Sequence, residues 1–226
     1  MNTVRTAISN TVPWPAPPRR RNAFTLIELL VVIGIMALLA ALVVGMAKYA
    51  SDKKKVARVE VELTKWVTMI DTYHAKLGFY PPSNPDTNYY GLNSLYYELA
   101  GTVFDNPTNL VLGTTNQVMS NVVFLAFGLK GFVNSASGNL NSDVGEVKRV
   151  GTIPETDIIE IEHGWGGSVK VPRVPVDGPG PFNNGPTKIN TWFYNSVNPV
   201  HNPNSYDLWA VYNIGNDLRT NGNWKR

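Results

Sequence analysis

Leu29-Leu30-Val31-Val32-Ile33-Gly34-Ile35-Met36-Ala37-Leu38-Leu39-Ala40-Ala41-Leu42-Val43-Val44-Gly45-Met46-Ala47 decides how the rest of the chain is read. No residue in this run is charged or strongly polar, and extending it back to Phe24 adds only Thr25 and Glu28. As a helix rising ~1.5 Å per residue, it is long enough to cross about 30 Å of hydrocarbon. A core helix of a soluble protein keeps a polar face, and this run has none. The competing reading is an ordinary secretory signal peptide. Such a peptide has a shorter apolar region, roughly 7–15 residues, followed by a small-residue cleavage site, and Gly45-Met46-Ala47 has that composition.

On the N-terminal side lie Arg5, Arg19, Arg20 and Arg21, with no acidic residue before Glu28. On the other side lie Lys48, Lys53, Lys54, Lys55 and Arg58. Positive charge alone therefore leaves the orientation in the membrane open. Glu28 is the residue to explain, because a carboxylate beside a span is costly unless partnered. Thr25-Leu26-Ile27-Glu28 has the spacing of a capping box, in which Thr25 caps the helix and Glu28 reaches back to a free backbone N–H. The helix dipole also favours an anion there.

Arg19-Arg20-Arg21-Asn22-Ala23-Phe24-Thr25-Leu26-Ile27-Glu28-Leu29-Leu30-Val31-Val32-Ile33 closely resembles the processing signal of type IV pilins and type II secretion pseudopilins. The resemblance implies cleavage between Ala23 and Phe24 by a prepilin peptidase, followed by N-methylation of Phe24. It places a leader, residues 1–23, in the cytoplasm and a head in the periplasm, held at the bacterial inner membrane by a single span over residues 24–47. Glu28, fifth when counted from Phe24, takes the family's glutamate position. The implied role is to meet the Phe24 ammonium of a neighbouring subunit. The family usually has Gly before the cut, and this chain has Ala23.

Beyond Lys48 the pattern becomes amphipathic. Val56, Val59, Leu63, Trp66, Ile70, Tyr73 and Leu77 recur at spacings of three and four, an apolar stripe on one helical face. One helix of about 80 Å from Thr25 to Leu77 follows at the standard rise. The stripe fits a coiled-coil seam or, with only three heptads, packing against the chain's own head. Gly78 suits a C-cap, and Pro81-Pro82 forbid continuation, so residues 48–78 form the amphipathic extension and residues 79–226 the head. Gly78-Phe79-Tyr80-Pro81 followed by Gly91-Leu92-Asn93-Ser94-Leu95 is similar to the region after the long helix in major pseudopilins.

In the head, Val122 to Leu129 reads as a strand or a short helix. Asp157 to Glu162 alternates like a half-buried strand. Val169, Val171, Val174 and Val176 suggest another, pushed to a sheet edge by Pro172 and Pro175. Residues 101–190 look like an insertion relative to a compact pseudopilin head. Thr191-Trp192-Phe193-Tyr194 and Tyr206 to Tyr212 read as two strands. The stretch from Ile214 to Trp224 resembles the calcium-binding loop of major pseudopilins, which implies Asp207, Asn216 and Asp217 as calcium ligands. Calcium favours six to eight oxygens rich in carboxylate, so an Asn/Gly-rich turn capped by Asp217 is the alternative.

The 226 residues carry a net charge of only +3, with the positives flanking the apolar run, which argues against a nucleic-acid partner. Without cysteine there is no disulfide, thiolate zinc site or cysteine nucleophile. His74, His163 and His201 follow no metal-ligand spacing, and no nucleophile elbow or phosphate-binding loop is present. Glu155, Asp157, Glu160 and Glu162 read as solvated strand residues, and Tyr89, Tyr90, Tyr96 and Tyr97 as core or as an aromatic surface. The expectation is an α+β, pilin-like subunit with no enzymatic activity. Its implied partners are copies of itself, prepilin peptidase, other pseudopilins, an inner-membrane assembly platform and membrane lipid. A minor pilin or adhesin with the same tail, and a membrane-anchored periplasmic enzyme, are the alternatives.

Overall fold

The computed structural model describes residues 24–137, 147, 149–162, 164, 166–180, 182–184 and 187–224. Helix α1 runs Leu26–Leu77 without interruption, through both the apolar run and the amphipathic extension. It stops where expected: Gly78 takes φ +86° and donates its N–H to the His74 carbonyl at 2.7 Å, a left-handed ending that side chains with a Cβ resist.

The chain divides into two units at Ala47/Lys48. In the first, every large apolar side chain from Phe24 to Met46 is exposed. Among the described residues, α1 is the one helix long and apolar enough to cross a membrane by length and composition.

The second unit holds the core, and the helical stripe packs against its own head rather than forming an open seam. Val59, Leu63, Trp66, Ile70 and Tyr73 are buried against Trp192, Tyr194, Tyr206, Leu208, Ala210 and Tyr212. Helix α2 (Leu95–Ala100) follows and contributes Leu95 and Leu99 to the same cluster. The middle of the head is a four-stranded sheet. Strands β1 (Thr102–Asp105), β2 (Thr108–Val111) and β3 (Gln117–Met119) form an antiparallel meander. After α3 (Ser120–Phe127), β4 (Ser135–Ser137) pairs in parallel with β1. The run at Val122 is thus helical, closed by Gly128 at φ +67°; Val122, Val123, Ala126 and Phe127 are buried in a second cluster with Tyr96, Tyr97 and Phe132.

Strands β5 (Ile158–Glu162) and β6 (Ser168–Pro172) form an antiparallel pair, and β7 (Phe182–Asn184) pairs with β8 (Thr187–Ile189). Within β5, Ile158 and Ile161 are buried while Ile159 is only half-buried, so strict alternation fails at the start of the strand. Val174 and Val176 are core residues but lie beyond β6, past Pro172 at its last position. The C-terminal sheet has the order β11-β10-β9, with β9 (Phe193–Asn195), β10 (Asp207–Ile214) and β11 (Asp217–Gly222) all antiparallel. The segment expected as a calcium loop or Asn/Gly turn is therefore mostly a strand. Its turn is confined to Gly215 and Asn216, and Thr220 and Asn221 pair with Val211 and Ala210.

Candidate functional site

Helix α1 begins with the reciprocal cap that its first residues encode. The Thr25 backbone N–H and hydroxyl both donate to Glu28 Oε2, at 2.8 and 2.9 Å, and the Glu28 N–H returns a bond to Thr25 Oγ1 at 3.3 Å. Glu28 carries a negative charge at the end of the helix that favours it. Phe24 precedes the cap and is 84% exposed. Ala23, Arg19–Arg21 and the rest of the leader lie outside the described residues, as does His163. The chemistry available here is burial of an uninterrupted apolar cylinder against lipid or other helices.

The residues implied as calcium ligands are not brought together. Asp207 opens β10 and Asp217 opens β11, with the whole of β10 between them, roughly 20 Å of strand. The Asp207 carboxylate is already committed. Oδ2 accepts the backbone N–H groups of Val200 and His201, at 2.7 and 2.9 Å, and Oδ1 accepts that of Asn202 at 2.9 Å. His201 Nδ1 lies 3.3 Å from Oδ2. Three backbone N–H groups and the Asn202 side-chain amide, at 3.2 Å from Oδ1, surround one buried carboxylate, which makes Asp207 the organiser of the Val200–Asn202 loop, so this residue set does not fit a calcium ion. Among the described residues, no three acidic or histidine side chains cluster as metal ligands would.

The acidic group on and before β5 is likewise dispersed into partnerships. Asp157 pairs with Lys65 of α1, Glu155 pairs with Lys170 at 3.0 Å, and Glu160 accepts the Ser168 hydroxyl. His74 stacks on Tyr80 with ring centroids 4.2 Å apart. Tyr96 and Tyr97 are core, whereas Tyr90 joins Trp209 at the surface.

One feature was not legible in the sequence, and a second was expected only as an aromatic surface that includes Tyr90. Glu98 is fully buried, accepting the Tyr73 hydroxyl at 2.9 Å and the backbone N–H groups of Val133 and Asn134 at 2.8 and 2.9 Å. Nothing local to α2 marks it, because its partners come from two separate segments, α1 and the stretch before β4. The second is an aromatic cleft on the C-terminal sheet. A signal for it does exist: Leu208, Ala210 and Tyr212 alternate into the core, which places Trp209 on the opposite face of β10.

Residues 18–44 match the family model described as the prokaryotic N-terminal methylation motif. That motif is the signature of prepilins and pseudopilins. Carried on an exposed apolar helix ahead of an α+β head, it supports a membrane-anchored, pilin-like assembly subunit and implies processing by prepilin peptidase. No curated protein and no solved structure matches the chain.

Proposed function

We propose that this chain is a structural subunit of a type II secretion pseudopilus or type IV pilus-like filament. It is cut between Ala23 and Phe24, methylated on Phe24, and assembled with copies of itself and other pseudopilins by an inner-membrane platform. The head lies in the periplasm. The observation that carries this reading is the apolar cylinder from Phe24 to Met46. Its large apolar side chains are exposed among the described residues, although it continues into a helix whose second half is firmly built into a core.

Among the described residues Glu28 interacts only with Thr25. In the filament its carboxylate meets the ammonium of a neighbouring Phe24. Either charge alone would be expensive in an apolar bundle, and pairing them offsets that cost and fixes the register between subunits. Intact-mass and N-terminal peptide mass spectrometry on the protein from its native membrane tests the proposal. A mature chain beginning at methylated Phe24 is expected. A chain beginning after Ala47, or an uncut chain, overturns it.

The aromatic cleft favours a second reading, a minor subunit that uses the same tail to display a binding head.

A further inference from the structure

Across the C-terminal sheet the chain forms a cleft of about 610 Å³, lined by Tyr90, His201, Trp209, Thr220, Gly222 and Trp224 among others. This size lies within the usual range for small-molecule sites, roughly 300–1,000 Å³. Trp209 is anchored beneath it, stacked on Phe193 with centroids 5.3 Å apart and met edge-on by Tyr90 at 5.8 Å. Trp224 lies at 58° to Trp209 with ring centroids 6.0 Å apart, so the two indoles form an open V. Trp224 is itself fixed from two directions. The His201 ring stacks on it at 3.9 Å, and any Cβ at position 222 would come within 2.5 Å of its six-membered ring. Gly222 is thus the residue that lets the indole lie across β11.

The loop carrying His201 is equally fixed. Asp207 holds its backbone, and Asn202 donates to Asn223 Oδ1 at 3.1 Å, while Asn223 donates to the Tyr206 carbonyl at 3.0 Å. The cleft is therefore preorganised, which lowers the ordering cost of binding.

Its chemistry narrows the ligand. Asp207 is the sole carboxylate in the lining and its oxygens are occupied, so the cleft offers no free acid for a cation. Among the described residues no lysine or arginine lines it for an anion. The Tyr90 and Thr220 hydroxyls and the indole N–H groups of Trp209 and Trp224 have no hydrogen-bond partner among the described residues. Aromatic faces combined with unpaired donors and acceptors suit a neutral ring with one apolar face and a polar rim. We propose that this cleft binds a saccharide ring of an uncharged oligosaccharide, whether or not the helix polymerises.

Titration of the full-length chain in detergent with maltotriose, cellotriose and chitotriose, followed by tryptophan fluorescence, tests this. Saturable quenching by at least one of the three is expected. Trp224→Ala should abolish it. Tyr90→Phe keeps the ring but loses the hydroxyl, and should weaken binding about tenfold, the loss of one hydrogen bond. No response to any of the three sugars overturns the proposal. So does wild-type affinity in both variants, or a response to decaproline instead of the sugars, which would assign the cleft to an extended peptide.

Discussion

Glu28 caps its helix in the structure, and in the proposed filament it has a second task. As a cap it accepts from the Thr25 N–H and hydroxyl, a task that needs an oxygen but no charge. As a partner for a neighbouring ammonium it needs the charge. Gln can replace Glu in a capping box, so Glu28→Gln keeps the helix start and removes only the second function. Filament assembly is expected to fail in Glu28→Gln as severely as in Glu28→Ala, with membrane insertion intact in both. Normal filaments from the Gln variant, seen by electron microscopy, would refute the pairing. Glu98 is a different case. Burial pushes its carboxyl above the usual range, and the bonds from Asn134, Val133 and Tyr73 only partly oppose this. A carboxyl raised in the folded state is still protonated when its unfolded counterpart has ionised. Stability is therefore fully present below the ordinary carboxylate range and is lost as pH rises through the higher folded value. Urea denaturation across that window should show this slope in the wild type and not in Glu98→Gln. The variant is less stable throughout, because its amide nitrogen faces a backbone N–H, but the slope is the readout. An unchanged slope would mean that another group titrates.

At the scale of elements, the α1 stripe shows which parts of the fold could be read beforehand. Val59, Leu63, Trp66, Ile70 and Tyr73 were legible because helical periodicity is a local property, set by spacing alone. The same holds for the cap at Thr25, the stop at Gly78 and the two strands around Tyr194 and Leu208. What stayed hidden depends on pairing and packing that residue spacing alone does not encode. The Asp217–Gly222 segment, polar and rich in turn residues, becomes a strand because β10 offers it an open edge. The Val122 run is short enough to suit either state, and tertiary packing against Tyr97 and Phe132 accompanies the helix it adopts. Asp207 was expected as a ligand from a family resemblance, and the conformation that turns the N–H groups of Val200 to Asn202 onto its carboxylate is not written in the spacing of those residues. The stripe also predicts what substitutions do. Trp66 is fully buried, and Trp66→Ala should cost roughly 3–5 kcal/mol of head stability in urea denaturation. Val61, on the same helix but 69% exposed, should change stability by no more than about 0.5 kcal/mol when replaced by Ala. Equal effects from the two would mean that the helix pairs through a different face.

For the molecule as a whole, the division at Ala47/Lys48 separates an exposed apolar helix from a head with a closed core. The large apolar side chains between Phe24 and Met46 are 48–84% exposed, and none of them is a member of the head's core clusters. The head, by contrast, closes its own core around the stripe that begins at Val56, using residues up to Ile214. A chain lacking residues 1–47 should therefore fold as a soluble protein. Its unfolding free energy in urea should match that of the head in the full-length chain to within about 0.5 kcal/mol, the scatter expected when no packed group is removed. The exposed helical segment left at its start, Lys48 to Lys55, is polar except for Tyr49 and Ala50 and gives no reason to aggregate. Circular dichroism and size-exclusion chromatography would show a cooperative transition and a discrete species. The same chain should neither partition into membranes nor enter filaments, because both depend on the surface that was removed. If instead it is unfolded or insoluble, the apolar helix is part of the head's fold, and the exposure of that surface would need another explanation than a partner in the bilayer or the filament.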